Sequence, residues 1–381
     1  MQVLQGRDPK SLQLIEVEIE DGLIAAVRPS AGSSDLWLIP GFADLQVNGY
    51  DGIDLNDDEC SPQSVVALAL KLSTLGTTTF LPTIITASTS KMERLLQVIQ
   101  EARRINSQAH HSIPFVHLEG PSISPLDGYR GAHGKDYVRL PSVSEFEHWQ
   151  AISDGLVGMV TLSPHWPGSV EFIRTLHKRG VLVSIGHTHA TTDQIHAAVD
   201  AGAVLSTHLG NGISPVLPRH PNPIWTQLAE DRLTATFIAD GIHLPSEALR
   251  AMLRAKEPHR SVLISDAVAL AGSPVGEYKT NVGGTVVVAQ DGSIRSKESG
   301  LLAGSGITLK DAVARAVVDG GVSIGNAIRM ATENPGRFAA GRGILRPGEP
   351  ADLVRFRWIE GGRTLDIEDV HVMGKAVTTQ A

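Results

Sequence analysis

The stretch 181–212, VLVSIGHTHATTDQIHAAVDAGAVLSTHLGNG, constrains what this chain can fold into more than any other. Residues 181–185 form an apolar run of buried-strand type that stops at Gly186-His187. Thr191 and Thr192 can cap a helix on which Ile195, Ala198 and Val199 share one face, and Gly202 supplies the stop. A second apolar run, 203–207, follows at once and ends at His208. Strand, helix and strand in such a short span make a right-handed βαβ unit, so the two strands are parallel neighbours. Their carboxyl ends then lie side by side, each carrying a histidine. A lone histidine at a strand end is commonly a satisfied polar group. Two at equivalent ends leave a metal site and a hydrogen-bonded pair as open readings.

The flanking chain extends the same rhythm. Residues 12–27 alternate around Glu20-Asp21-Gly22, a hairpin signal, and Leu38-Ile39-Pro40-Gly41 breaks the pattern. From Phe42 onward, candidate strands fall at 42–48, 77–84, 113–119, 157–163, 181–187, 203–208, 233–240 and 261–266. Helical patterns separate them, among them 63–75, 91–104, 143–152, 169–179 and 246–256. Eight βα units in series predict an α/β fold of the (β/α)8 TIM-barrel type rather than an open doubly wound sheet. Segment 277–300, with the hairpin-like VVVAQDGSIRS, reads as an excursion on the barrel surface, and helices at 308–318 and 323–332 resume the outer ring. After Gly343 the pattern turns β-like again, at 351–357 and 369–379. The two β-rich ends, 1–41 and 344–381, pair most economically into one small domain beside a barrel of residues 42–343.

Composition narrows the class. At 42% apolar and 19% charged residues the chain is an ordinary globular protein with a large core. A formal net charge of −8 with no basic block argues against nucleic acid or an anionic membrane as partner. Cys60 is the lone cysteine, so a disulfide framework is excluded and a reducing compartment expected. The start, MQVLQGRDPK, has no apolar signal-like region, and no run is long enough to cross a bilayer. The expectation is a soluble, cytoplasmic protein.

In barrel enzymes the chemistry sits at the carboxyl ends of the strands. Those ends carry Gln46 and Asn48, Glu119, His187, His208, Asp240 and Asp266. Glu119, His187 and His208 are a two-nitrogen, one-carboxylate set, the composition of many catalytic zinc sites. Three protein ligands leave a position for water, whose pKa the metal lowers to about 7. Asp266, on the strand that must close against the first, could take a proton from that water. His117 precedes Glu119 by two residues, so it also points inward, as a supporting group.

PGFADLQVNG (40–49), HLEGPSISP (117–125), RGAH (130–133), SIGHTHA (184–190), THLGNG (207–212), IADGIHL (238–244), ISDAVALAG (264–272), LAGSGITL (302–309), ATENPGR (331–337) and PGEPADLVRF (347–356) occur in this order. Together they resemble the N-acetylglucosamine-6-phosphate deacetylase family of the amidohydrolase superfamily. The resemblance implies a metal-dependent barrel hydrolase with a small β-sandwich domain built from both termini, usually a homodimer, acting on a small amino sugar. Glu119, His187 and His208 would bind one divalent metal, zinc first among the options. Asp266 would be the acid/base residue and His133 would polarise the amide carbonyl. Asn211, the Gly212 backbone, Arg219 and His243 would hold the substrate. Gln46-Val47-Asn48 replaces the His-X-His that holds a second metal in most amidohydrolases, which implies a single ion.

Departures from the family pattern gather on the strand-end loops. His165 and His220 stand where acids are usual, His189 stands where Asn is common, glycines occupy 210 and 212, and the loop LPRHPNPIW is its own. His165, His189 and His220 inherit no role, and His110 and His111 are expected to be exposed. The reaction type is therefore firmer than the substrate. Another N-acyl or cyclic amide, with or without phosphate, is the alternative substrate class. A catalytically silent barrel would have lost ligands, and none is missing.

Overall fold

The computed structural model describes residues 1–280 and 284–377. Runs rich in β-branched and aromatic residues, such as TTTFLPTII, form strands buried on both faces, because helices cover the outside and side chains fill the inside. Eight strands follow in chain order: Phe42–Val47, Thr77–Ile85, Val116–Glu119, Val157–Leu162, Leu182–Ile185, Leu205–Ser206, Thr234–Ile238 and Ser261–Ile264. Each pairs parallel with the next. The ring closes beyond the last strand: the Asp266 N–H donates to the Gln46 carbonyl at 3.0 Å and the Asn48 N–H to the Ala267 carbonyl at 2.8 Å. The expected barrel is the barrel observed.

Helices obey their caps. Val143–Ile152 and Ser246–Lys256 span the expected residues. Thr192–Ala201 starts at a capping box of Thr191 and Gln194 and ends at Gly202, whose φ of 118° a residue with a Cβ would resist. Strands prove shorter than their apolar runs. The run 203–208 keeps only Leu205–Ser206, because the backbone turns left-handed at His208.

Seven further strands, from both ends of the chain, make a second sheet in which Trp37–Pro40 lies between Gln2–Arg7 and Leu353–Arg357. Leu23–Pro29 at its edge curls back, with Ile24 and Glu349 sharing a backbone hydrogen bond, so the sheet folds over its own core of Leu4, Val17, Ile24, Leu38 and Leu353. The expected strand at 369–379 is Asp366–Val372 followed by Lys375–Ala376, and residues 378 and 379 lie outside the described ones.

Two expectations need correction. Segment 277–300 is a three-stranded sheet, Gly276–Thr280, Gly284–Val288 and Ile294–Ser296, and not a mere surface excursion. Its Val286 and Ile294 pack with Val268, Leu270 and Ala303, so apolar burial folds it over the barrel mouth. His111 is not exposed: its ring pairs with Asp352 at 2.7 Å and ties a barrel helix to the terminal sheet. Among the described residues no helix is long and apolar enough to cross a membrane.

Candidate metal centre

Strand alternation stacks the barrel interior in tiers. Leu45, Leu81, Met159, Leu205 and Val262 plug the lower end. Two residues further along, side chains turn polar. His117 is held by the Leu45 carbonyl at 3.2 Å and by Thr161 Oγ1 at 2.7 Å, and Thr161 and Ser184 both meet Thr207 Oγ1. Burial brings His117 down to about 4, so it is a neutral, hydrogen-bonded support for the tier above, as expected from its spacing to Glu119.

That upper tier holds the candidate ligands. Glu119 Oε1 lies 3.2 Å from His187 Nε2 and 2.9 Å from His208 Nε2, with Gln46 Nε2 donating to the same oxygen at 2.9 Å. His187 Nδ1 donates to the Tyr129 carbonyl at 2.8 Å. In the neutral ring that leaves Nε2 with a lone pair aimed at a carboxylate oxygen, which has only lone pairs. Two acceptors so close are reconciled by a cation between them, and the carbonyl behind the ring is the usual partner of a ligating imidazole. The donor set therefore fits a divalent ion.

His133 approaches from the loop after the third strand, its Nε2 at 3.7 Å from Glu119 Oε2 and its Nδ1 at 3.0 Å from Thr86 Oγ1. Ligand atoms of Glu119, His133 and His187 all lie within 4.8 Å of one another, a grouping that leaves out His208. His208 is nonetheless the better third ligand on geometry: it and His187 converge on one oxygen, whereas His133 faces the other. Burial, then the neighbouring His187, holds His133 neutral at about 3.

Backbone geometry aims these groups. His187, His208 and Asp266 have φ of 47°, 27° and 48°, left-handed positions costing about 1–3 kcal/mol each for residues other than glycine. Each marks where a strand stops and its side chain swings into the mouth. Gly212 crosses above His187 so closely that a Cβ there would sit 2.7 Å from Nδ1. Asp266 receives a hydrogen bond from Asn48 Nδ2 at 2.8 Å, and burial, then the charge of Glu119, pushes it up to about 6. Burial works against the His208 cation, and the bond with Glu119 more than offsets it, so this imidazole lies above its ordinary value.

A cavity of about 280 Å³ opens on the centre and is lined by Glu119, His133, His187, His208, Asn211, Gly212, His243 and Asp266. Eight of the nine residues named from the sequence are thus brought together. The exception is Arg219, which is exposed on the loop after His208 and does not line the cavity; among the described residues its side chain has no partner. Residues 218–221 around it are all exposed, so spacing from His208 did not translate into proximity. His243 is fixed by Asp240 at 2.6 Å. His165 and His189 lie against each other at a tilt of 43°, ring centroids 4.1 Å apart, outside the cavity lining, and His220 is exposed. Sequence reasoning missed Thr86, the Tyr129 carbonyl and the aliphatic wall of Val268, Leu270, Val286, Ile294 and Leu302. Only the wall left a signal, in the strand-forming run of valines at 286–288.

Residues 37–377 match the model of the amidohydrolase family. The chain belongs to that family. Within it, the chain is 33% identical to an N-acetylgalactosamine-6-phosphate deacetylase of Escherichia coli O157:H7, over 91% of this chain and 93% of the relative. It is 32% identical to an N-acetylglucosamine-6-phosphate deacetylase of Bacillus subtilis, over 89% and 87%. The crystal structure of N-acetyl-D-glucosamine-6-phosphate deacetylase from Mycobacterium smegmatis superposes with a TM-score of 0.88 at 28% identity, covering 99% of this chain and 100% of the other. As an amidohydrolase this chain is a hydrolytic enzyme with a histidine–glutamate cluster able to bind a metal.

Proposed function

We propose that this chain hydrolyses the N-acetyl amide of a hexosamine 6-phosphate, N-acetylglucosamine-6-phosphate foremost, to acetate and the free amine, with one divalent ion, zinc by donor set, as cofactor. The observation that carries it is the convergence of His187 Nε2 and His208 Nε2 on one oxygen of Glu119 in a cavity that Asp266 also lines. A bound ion supplies Lewis acidity and a water acidified to about pKa 7. The chain supplies the rest. Glu119, His187 and His208 hold the ion. Asp266, ionised above about pH 6, takes the water's proton and returns it to the departing nitrogen. His133 faces the acyl oxygen. Asn211 Nδ2, buried and without a partner among the described residues, donates to the sugar, with the Gly212 backbone and His243 beside it. The family resemblance supports a homodimer. Lone, buried Cys60 supports a cytoplasmic location. The two sheets support the division into a terminal unit, 1–41 with 344–381, and a barrel, 42–343.

One observation favours a second reading, hydrolysis of an unphosphorylated N-acyl amine. Among the described residues no lysine or arginine lines the cavity, and a phosphate dianion without a cation is poorly held. Acetate release from N-acetylglucosamine and from its 6-phosphate separates the two. Under the first reading kcat/KM for the 6-phosphate exceeds that for the unphosphorylated sugar at least about 10-fold. A parent enzyme that hydrolyses both sugars equally well hands the assignment to the second reading.

A further inference from the structure

Asn48 is 8% exposed and lines the cavity beside Asp266. Its backbone is clamped from both sides: its N–H donates to the Ala267 carbonyl at 2.8 Å and its carbonyl accepts from the Leu55 N–H at 2.9 Å. On the side chain, Nδ2 is committed to Asp266 Oδ1 at 2.8 Å. Because that partner is a carboxylate, the amide cannot turn over without setting oxygen against oxygen. Oδ1 must therefore face away from Asp266, and it is buried with no partner among the described residues. Buried acceptors are rarely left unpaired, and one that is unpaired beside a reacting group calls for an explanation. Its neighbour Gln46 offers a contrast, for its amide is spent on Glu119 and leaves no buried orphan.

We propose that Asn48 Oδ1 is a catalytic acceptor for the N–H of the scissile amide, so that Asn48 and Asp266 grip the leaving nitrogen together. This rests on the amide-hydrolase reading above. The proton that Asp266 delivers must arrive at that nitrogen, which therefore lies within reach of Asp266 and of the Asn48 side chain bonded to it. In the ground state the amide N–H is a modest donor. As the carbonyl carbon becomes tetrahedral and the nitrogen gains a proton, N–H acidity grows and the bond to Oδ1 strengthens. An interaction that strengthens along the reaction coordinate raises kcat rather than lowering KM. Asn48→Ala should accordingly reduce kcat about 10–150-fold with KM changed less than threefold.

The same loss would follow if Asn48 only steadied Asp266, so the decisive experiment avoids proton transfer. Two tetrahedral phosphorus analogues of the substrate, a phosphonamidate and the phosphonate ester that replaces its N–H with O, are titrated calorimetrically into metal-loaded enzyme. The parent should prefer the N–H analogue about 10–100-fold, since the ester sets a lone pair against Oδ1. Asn48→Ala should erase that preference while elemental analysis shows the metal retained. The preference is a ratio of two affinities read on the metal-loaded protein, so it gives a reading even if only part of the alanine variant is folded. A parent without the preference, or an alanine variant that retains it, overturns the proposal. A parent that binds neither analogue instead contradicts the amide-hydrolase reading itself.

Discussion

Asp266→Asn tests the proposed proton shuttle. Asparagine is among the few residues at ease in the left-handed region, so a φ of 48° costs the variant little. Its side-chain oxygen still accepts from Asn48 Nδ2, where aspartate accepts at 2.8 Å. It also removes a carboxylate that burial and Glu119 disfavour enough to lift it to about 6. Fold and metal content should therefore survive, with stability within about 1 kcal/mol of the parent. The amide can neither take nor return a proton. General acid–base groups contribute about 10²–10⁴-fold, equivalent to about 2.7–5.5 kcal/mol of activation free energy. Acetate release should fall by at least that factor. The pH profile gives a second reading. In the parent, a base with its pKa raised to about 6 is protonated as pH drops, so kcat/KM should decline below about pH 6, and that limb should vanish in the variant. Turnover within threefold of the parent, by a variant with full metal content, would refute the role.

His187→Ala and His208→Ala should each lose metal along with activity, with affinity down at least 100-fold, because each removes one of the three proposed ligands, leaving Glu119 with a single histidine. The parent, purified without added metal, should contain close to one equivalent of divalent ion by elemental analysis, since Gln46 and Asn48 are spent on Glu119 and Asp266. Two tightly held equivalents would contradict this. Gly41→Ala should destabilise the fold by about 1–3 kcal/mol in urea titration, since its Cβ would lie 2.0 Å from Thr78 Oγ1 where the chain enters the barrel. Wild-type stability would show that Thr78 yields freely.

Periodicity and caps were enough to place most of this molecule. Eight apolar runs spaced by amphipathic segments favour a parallel barrel over an open doubly wound sheet, so the barrel was legible, with the ends of helix Thr192–Ala201 written in Thr191 and Gly202. The gathering of the candidate ligands was legible for the same reason: side chains at equivalent ends of parallel strands must face one mouth, and Glu119, His187, His208 and Asp266 line one cavity. What lies between elements was not. The fate of Arg219 depends on how a proline-flanked loop leaves the barrel, and no local pattern encodes a direction for a segment without an apolar face. His111 is buried only because its partner Asp352 comes from a unit 241 residues away. The apolar lid of Val286 and Ile294 has ordinary strand patterning, and its place over the mouth is decided by Val268 and Leu270 on another loop. The unpaired oxygen of Asn48 is likewise a product of tertiary structure, because it exists only when strand closure commits the opposite end of the amide to Asp266.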